Sequence, residues 1–129
     1  MNYNEWNEVK KSTNSSKEKA VKTGKVYWVR LGLNIGSEVY GKGKNYVRPV
    51  LVLKLIYKNS FIGVPLSTKT KDNSFPYFYS FYTKNNDIRT ALLSQIKLFD
   101  TKRVENIANI NISKSDFENI RDKIKANLI

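Results

Sequence analysis

The chain has 129 residues, no cysteine and no histidine, and its 23 Lys and Arg outweigh 11 Asp and Glu to give a net charge of +12. A chain of this length makes one domain with a real core, since folded proteins of this size hide roughly two-thirds of the surface their unfolded forms expose. The composition excludes disulfide staples, Ser-His-Asp and Cys-His catalysis and His-ligated zinc, and it favours an anionic partner: nucleic acid, an anionic membrane or an acidic protein.

Residues 1–23 are polar, rich in Lys, Asn, Ser and Glu, with Trp6 as the large anchor; they read as a mobile arm or a short, weakly docked helix. The folded domain is expected over residues 24–129. Lys25 to Leu33 (KVYWVRLGL) is dense in β-branched and aromatic residues and predicts a strand. A long glycine-bearing loop follows, from Asn34 to Asn45, and Tyr46 to Tyr57 predicts a central strand with Pro49 near its start, where a missing amide is tolerated. After a tight turn at Asn59-Ser60, Phe61 to Ser67 (FIGVPLS) predicts a third strand, in which Pro65 suggests an edge or a bulge.

Tyr77 to Tyr82 predicts a fourth strand and Thr90 to Phe99 (TALLSQIKLF) a fifth, joined by a plain turn at Lys84-Asn85-Asn86-Asp87. Asp100 to Val104 reads as one short helical turn. A terminal helix is predicted from the capping-box spacing of Ser115 and Glu118 and the apolar face of Phe117, Ile120, Ile124 and Leu128. Five short strands and a terminal helix make a mainly β protein, a small twisted barrel or half-barrel.

No apolar run approaches the roughly 20 residues that cross a bilayer. The first residues, MNYNEWNEVKKSTNSS, lack the apolar centre of a signal peptide. The expected location is therefore the cytoplasm. Aromatic content without a long basic amphipathic helix favours polynucleotide over membrane, although a generic basic surface would give the same charge. The carboxylates are scattered, with no pair or cluster at metal-ligand spacing, so a metal-dependent nuclease is not expected.

The loop is the first candidate site. Gly36 to Gly43 (GSEVYGKG) comes within one residue of a P-loop, but Gly43 stands where Ser or Thr should hold magnesium, and the chain continues into a strand instead of a helix. Nucleoside triphosphate binding is rejected; the loop's amides, with Lys42 and Lys44, suit a phosphate less specifically, and a flexible surface loop explains them as well. Arg48 stands at the mouth of the apolar run Val50 to Leu53, where an arginine calls for a partner: an anionic ligand, or a salt bridge to Glu38 or Asp100.

Ser67 and Thr68 end the third strand beside Lys69, Thr70 and Lys71, a setting that suits phosphate contact as well as simple turn formation. Gln95 interrupts an apolar strand, to orient a catalytic group or to cap a loop. Of Tyr77, Phe78, Tyr79, Phe81 and Tyr82, alternation leaves only one set facing outward to stack bases.

In order, the chain reads GKVYWV from Gly24, GSE from Gly36, RPVLVL from Arg48, PLST from Pro65, ALLSQI from Ala91, FDTKR from Phe99, then a terminal helix. This resembles the MazF/PemK-like toxins of bacterial toxin–antitoxin pairs, over roughly residues 24 to 128. The resemblance implies a small SH3-like barrel, usually a homodimer. It also implies cleavage of single-stranded RNA at short sequences without metal or other cofactor, through attack by the ribose 2′-hydroxyl, to a 2′,3′-cyclic phosphate and a 5′-hydroxyl. An acidic, partly disordered antitoxin would block the RNA groove.

The family's arginine falls on Arg48, its Ser/Thr after the third strand on Ser67, and its loop glutamate on Glu38, making these three the catalytic candidates. Thr68, Lys69, Lys42, Lys44 and Gln95 are the candidates for substrate contact. The chain departs from the pattern at Val39, where Gln is common, and in the inserted Gly41-Lys42-Gly43-Lys44. The alternatives are a CcdB-like, gyrase-directed toxin with the same barrel architecture, whose activity resides in terminal-helix residues, and a non-catalytic RNA-binding barrel.

Overall fold

The computed structural model describes residues 20–31 and 47–129. The expected N-terminal arm up to residue 19 and the loop from Asn34 to Asn45 lie outside them. The described chain forms seven antiparallel strands: β1 (Val26–Arg30), β2 (Val47–Tyr57), β3 (Ser60–Ser67), β4 (Phe78–Tyr82), β5 (Ile88–Leu92), β6 (Lys97–Asp100) and β7 (Val104–Ile107), followed by one helix, α1 (Lys114–Asn127). Their hydrogen-bonded order is β4-β5-β3-β2-β1-β7, with β6 also paired to β3.

The unbroken apolar run in β2 is explained by cover on both faces, the pattern of a strand with no solvent side. Val50 and Val52 pack with Tyr27, Val29, Phe61, Phe99 and Val104 in one cluster. Leu51 and Leu53 point the other way, into a cluster with Val64, Leu66, Ile120 and Ile124. The first cluster is the inside of a curl. β6 borders β3, β7 borders β1, and only the 3₁₀ turn Thr101–Arg103 separates β6 from β7, so the sheet bends until its margins meet at that turn. The second cluster lies beneath α1. Val21 is buried with the inner cluster, and the amide of Gly24 donates to the carbonyl of Val52 at 2.8 Å, which ties the segment before β1 to the sheet.

Three expectations need correction. The fifth strand is not continuous: Leu93–Gln95 forms a 3₁₀ turn between β5 and β6. β5 pairs with Leu66 and Ser67 of β3, and β6 with Ser60 to Gly63, so the turn takes up the residues that the β3 ladder skips. Leu93 drives the detour, because its side chain is fully buried. Pro65 marks no edge. β3 has neighbours on both sides, and Pro65 sits where it changes partner from β6 to β5, so its missing amide costs no bond on that side.

The helix cap is Ser113, not Ser115. Its hydroxyl accepts from the Asp116 amide at 3.0 Å and donates to the Asp116 carboxylate at 2.9 Å, the expected cap spacing two residues earlier. Ile120 and Ile124 are buried and Phe117 and Leu128 pack against the same cluster, as their spacing predicts. β7 (VENI) was not anticipated. Among the described residues no helix is long and apolar enough to cross a membrane.

Candidate functional site

Hairpin register brings the two central candidates together. Val50 pairs with Pro65 across β2 and β3, and extending that ladder outward sets Arg48 opposite Ser67. The Arg48 guanidinium confirms the proximity: its Nη1 donates to the carbonyl of Leu66 at 3.4 Å. Strand alternation places Arg48 on the inward face with Val50, at the rim of the curl. Burial lowers its pKa from the ordinary guanidinium value. A group that starts so high remains a cation at neutral pH, and partial desolvation strengthens its attraction for an anion.

Ser67 is half-buried at the end of β3, and its Oγ accepts from the Lys69 amide at 3.1 Å. A hydroxyl has one proton and two lone pairs, so the accepted bond orients Oγ and leaves the proton for an incoming oxygen. Thr90, absent from the candidates read in the sequence, stabilises this arrangement. It pairs with Ser67 across β3 and β5, is fully buried, and donates from Oγ1 to the Lys69 carbonyl at 2.6 Å. The Lys69 residue is thus held at both its amide and its carbonyl. The only sequence signal was a hydroxyl inside an otherwise apolar segment.

The network extends further along the segment after Ser67. Thr90 Oγ1 lies 2.7 Å from Ser80 Oγ, which bonds the Lys71 carbonyl at 2.9 Å. Asn73 exchanges bonds with the Ser80 backbone, and Lys123 of α1 donates to the carbonyls of Asn73 and Phe78, each at 2.6 Å. Burial lowers the Lys123 pKa, while the Asp72 carboxylate opposes that shift. The helix therefore helps to place the basic stretch that follows Ser67.

The other candidates are distributed as follows. Thr68 and Lys69 are exposed beside Ser67. Gln95 is half-buried, but in the 3₁₀ turn instead of a strand. Glu38, Lys42 and Lys44 lie outside the described residues. Asp100, a possible partner for Arg48, directs Oδ1 to the Lys102 amide at 2.8 Å and caps its own 3₁₀ turn. Of the aromatic strand, Tyr79 and Phe81 point to the core, whereas Tyr77 and Tyr82 are exposed. Among the described residues no group of three or more acidic, His or Cys side chains is placed to hold a metal ion. The arrangement offers a partly desolvated cation and an oriented hydroxyl at one rim, which suits a tetrahedral anion with developing charge.

Similar folds are known. An endoribonuclease in complex with its cognate antitoxin, from a mycobacterial species, matches with a TM-score of 0.64 at 13% identity, over 84% of this chain and 95% of that one. MazF from Deinococcus radiodurans matches with a TM-score of 0.62 at 15% identity, over 84% and 96%. The MazE–MazF structure from the same organism gives 0.60 at 14%, over 84% and 95%. Among curated proteins no sequence matches significantly. The sequence model of the PemK-like, MazF-like toxins of type II toxin–antitoxin systems matches residues 22–128. With nearly the whole barrel and helix inside that match, the chain belongs to this toxin family.

Proposed function

We propose that the protein is the toxin of a type II pair and acts as a sequence-specific endoribonuclease on single-stranded RNA, without a metal. The observation that carries this reading is the β2–β3 register, which, extended outward from Val50 and Pro65, sets Arg48 opposite Ser67, with the Arg48 guanidinium donating to the Leu66 carbonyl. In the proposed reaction the ribose 2′-oxygen loses its proton and bonds to phosphorus. The bond from phosphorus to the 5′-oxygen then breaks, and that oxygen takes up a proton. The products are a 2′,3′-cyclic phosphate and a 5′-hydroxyl.

Arg48 stabilises the dianionic phosphorane, a task that suits a permanent cation with forked donors. The high intrinsic pKa of a guanidinium makes it a poor base at neutral pH. Proton removal therefore goes through a bound water or through Glu38. Ser67, with Oγ oriented by the Lys69 amide, donates to a non-bridging oxygen or to the leaving group. Thr68 and Lys69 contact flanking phosphates from the exposed end of β3. An acidic, partly disordered antitoxin would compete for the same basic rim, and a homodimer is the expected assembly.

The test is end-mapping of RNA fragments after incubation with the purified protein in EDTA. Discrete cuts with 2′,3′-cyclic phosphate and 5′-hydroxyl ends are expected. Activity lost in EDTA and restored by magnesium would overturn the metal-free mechanism, and intact RNA in both conditions would overturn the nuclease reading.

A further inference from the structure

Away from the Arg48–Ser67 pair, a cleft of about 130 Å³ opens where the end of β1, the start of β6 and the Thr101–Arg103 turn converge. Its lining includes Arg30, Lys97 and Arg103 against a single carboxylate, Asp100. That carboxylate accepts from the Lys102 amide, and three cationic residues against it give the lining a cationic balance. Arg30 is ion-paired through Nη1 to Glu105 of β7, and Arg103 donates from Nη1 to the Arg30 carbonyl at 3.4 Å. A guanidinium carries five N–H donors, so each arginine is anchored by one contact and keeps others for a ligand. The Lys97 ammonium sits 5.3 Å from the centroid of the Phe99 ring.

Register relates this cleft to the rim. Lys97 pairs with Gly63, and Gly63 pairs with Val52, so Lys97 lies in the cross-strand row four residues along β2 from Arg48. That separation along the strand is about 13 Å. Gly63 itself is closely packed: a Cβ there would lie 2.7 Å from Val50 Cγ1 and 2.9 Å from the Leu51 carbonyl, so the position admits no side chain.

We propose that this cleft is a second phosphate-binding subsite, which holds the backbone of the RNA beside the bond being cut. The proposal rests on the nuclease reading for the identity of the ligand. Its own support is geometric: three cationic residues from three separate elements line one cleft. A tetrahedral phosphate accepts from several directions at once, whereas a carboxylate presents two oxygens in one plane. The subsite would fix the strand's path over the rim and so select the phosphodiester that meets Arg48.

The experiment measures the affinity of a labelled oligoribonucleotide carrying 2′-deoxyribose at its mapped cut site, across a salt series, for the wild type and for Lys97→Gln, Arg103→Gln and the double variant. Thermal melts verify folding, and Arg103→Lys provides a second variant that keeps the charge. Each lost phosphate contact should lower the slope of log affinity against log salt by about 0.7. The double variant should bind several-fold more weakly, while Arg103→Lys keeps the slope. An unchanged slope in the folded double variant overturns the subsite. So does the loss of binding to polyglutamate with RNA binding intact, which would assign the cleft to an acidic protein. The all-ribose oligonucleotide separates the two ideas: if the wild type leaves it uncut the nuclease reading fails, whereas cutting with an unaltered slope condemns the subsite alone.

Discussion

On one face of the β2–β3 hairpin, Leu51, Leu53, Val64 and Leu66 are sealed beneath α1 by Ile120 and Ile124. On the other, Val50, Val52 and Phe61 lie inside the curl of the sheet, where the same row of positions continues outward to Arg48. Both faces begin with equally apolar side chains. They differ in what terminates them: a helix completes the first, while on the second the row runs out to a partly buried arginine at the start of β2. On the proposed reading, stability and chemistry fall on opposite sides of the same two strands.

The largest effect is expected at the rim. Arg48→Ala should lower RNA cleavage by about 10²–10³-fold or more, the scale for removing a principal charge stabiliser, while the melting curve stays close to that of the wild type. Arg48→Lys keeps the charge without the fork and should fall between. Wild-type-like cutting by a folded Arg48→Ala protein would break the division of labour at its centre.

The opposite test is made on the covered face. Ile120 is fully buried, and Ile120→Ala should cost about 2–5 kcal/mol in denaturant unfolding, with cleavage per folded molecule unchanged. A variant that kept its stability and lost its activity would show that the two faces are not separable.

Thr90→Val probes the link between them. Removing the hydroxyl takes a hydrogen bond from the Lys69 carbonyl, a loss of about 0.5–1.5 kcal/mol, and releases the segment that orients Ser67. The expected result is about a tenfold fall in kcat with little change in KM, restored by Thr90→Ser. An unaltered kcat in Thr90→Val would reduce Thr90 to a packing residue.

The smallest effect is at the helix latch. The Tyr79 hydroxyl donates to Asp116 at 2.7 Å and accepts from Asn119 at 3.0 Å; burial, together with the Asp116 carboxylate, raises its pKa. A phenol whose folded pKa is raised holds its proton more tightly when folded, so its stabilisation is complete below the ordinary tyrosine range and is lost as pH rises through the raised value. Tyr79→Phe should cost about 1 kcal/mol near neutral pH and flatten the alkaline decline in stability. Parallel pH profiles for the two proteins would contradict this.

Much of the fold was legible locally. β-branched and aromatic density located β2 to β4 to within one residue of their ends and β1 to within three, and the helical face of Phe117, Ile120, Ile124 and Leu128 was correct. What escaped was decided by contacts. TALLSQIKLF is uniformly apolar enough to pass for one strand, and only its alignment against β3 shows that Leu93–Gln95 must leave the ladder. β7 has the sequence Val-Glu-Asn-Ile, too short and polar to announce a strand, and it exists because β1 offers it an edge. Ser113 and Ser115 are both plausible caps by residue type; the cap at Ser113 is completed by Asp116.

The candidate site divides in the same way. Arg48 at the mouth of an apolar run, and hydroxyls beside lysines at the end of PLST, were visible as chemistry without a geometry. Read alone, the chain determined its β character, its cationic surface, the absence of histidine chemistry and a central apolar strand at β2, because these follow from residue types and short-range periodicity. Tertiary structure alone set Arg48 opposite Ser67, placed Thr90 beneath Lys69 and gathered Arg30, Lys97 and Arg103 around one cleft. Those meetings depend on strand register and on the curvature of the sheet, long-range properties that no local pattern of side chains encodes.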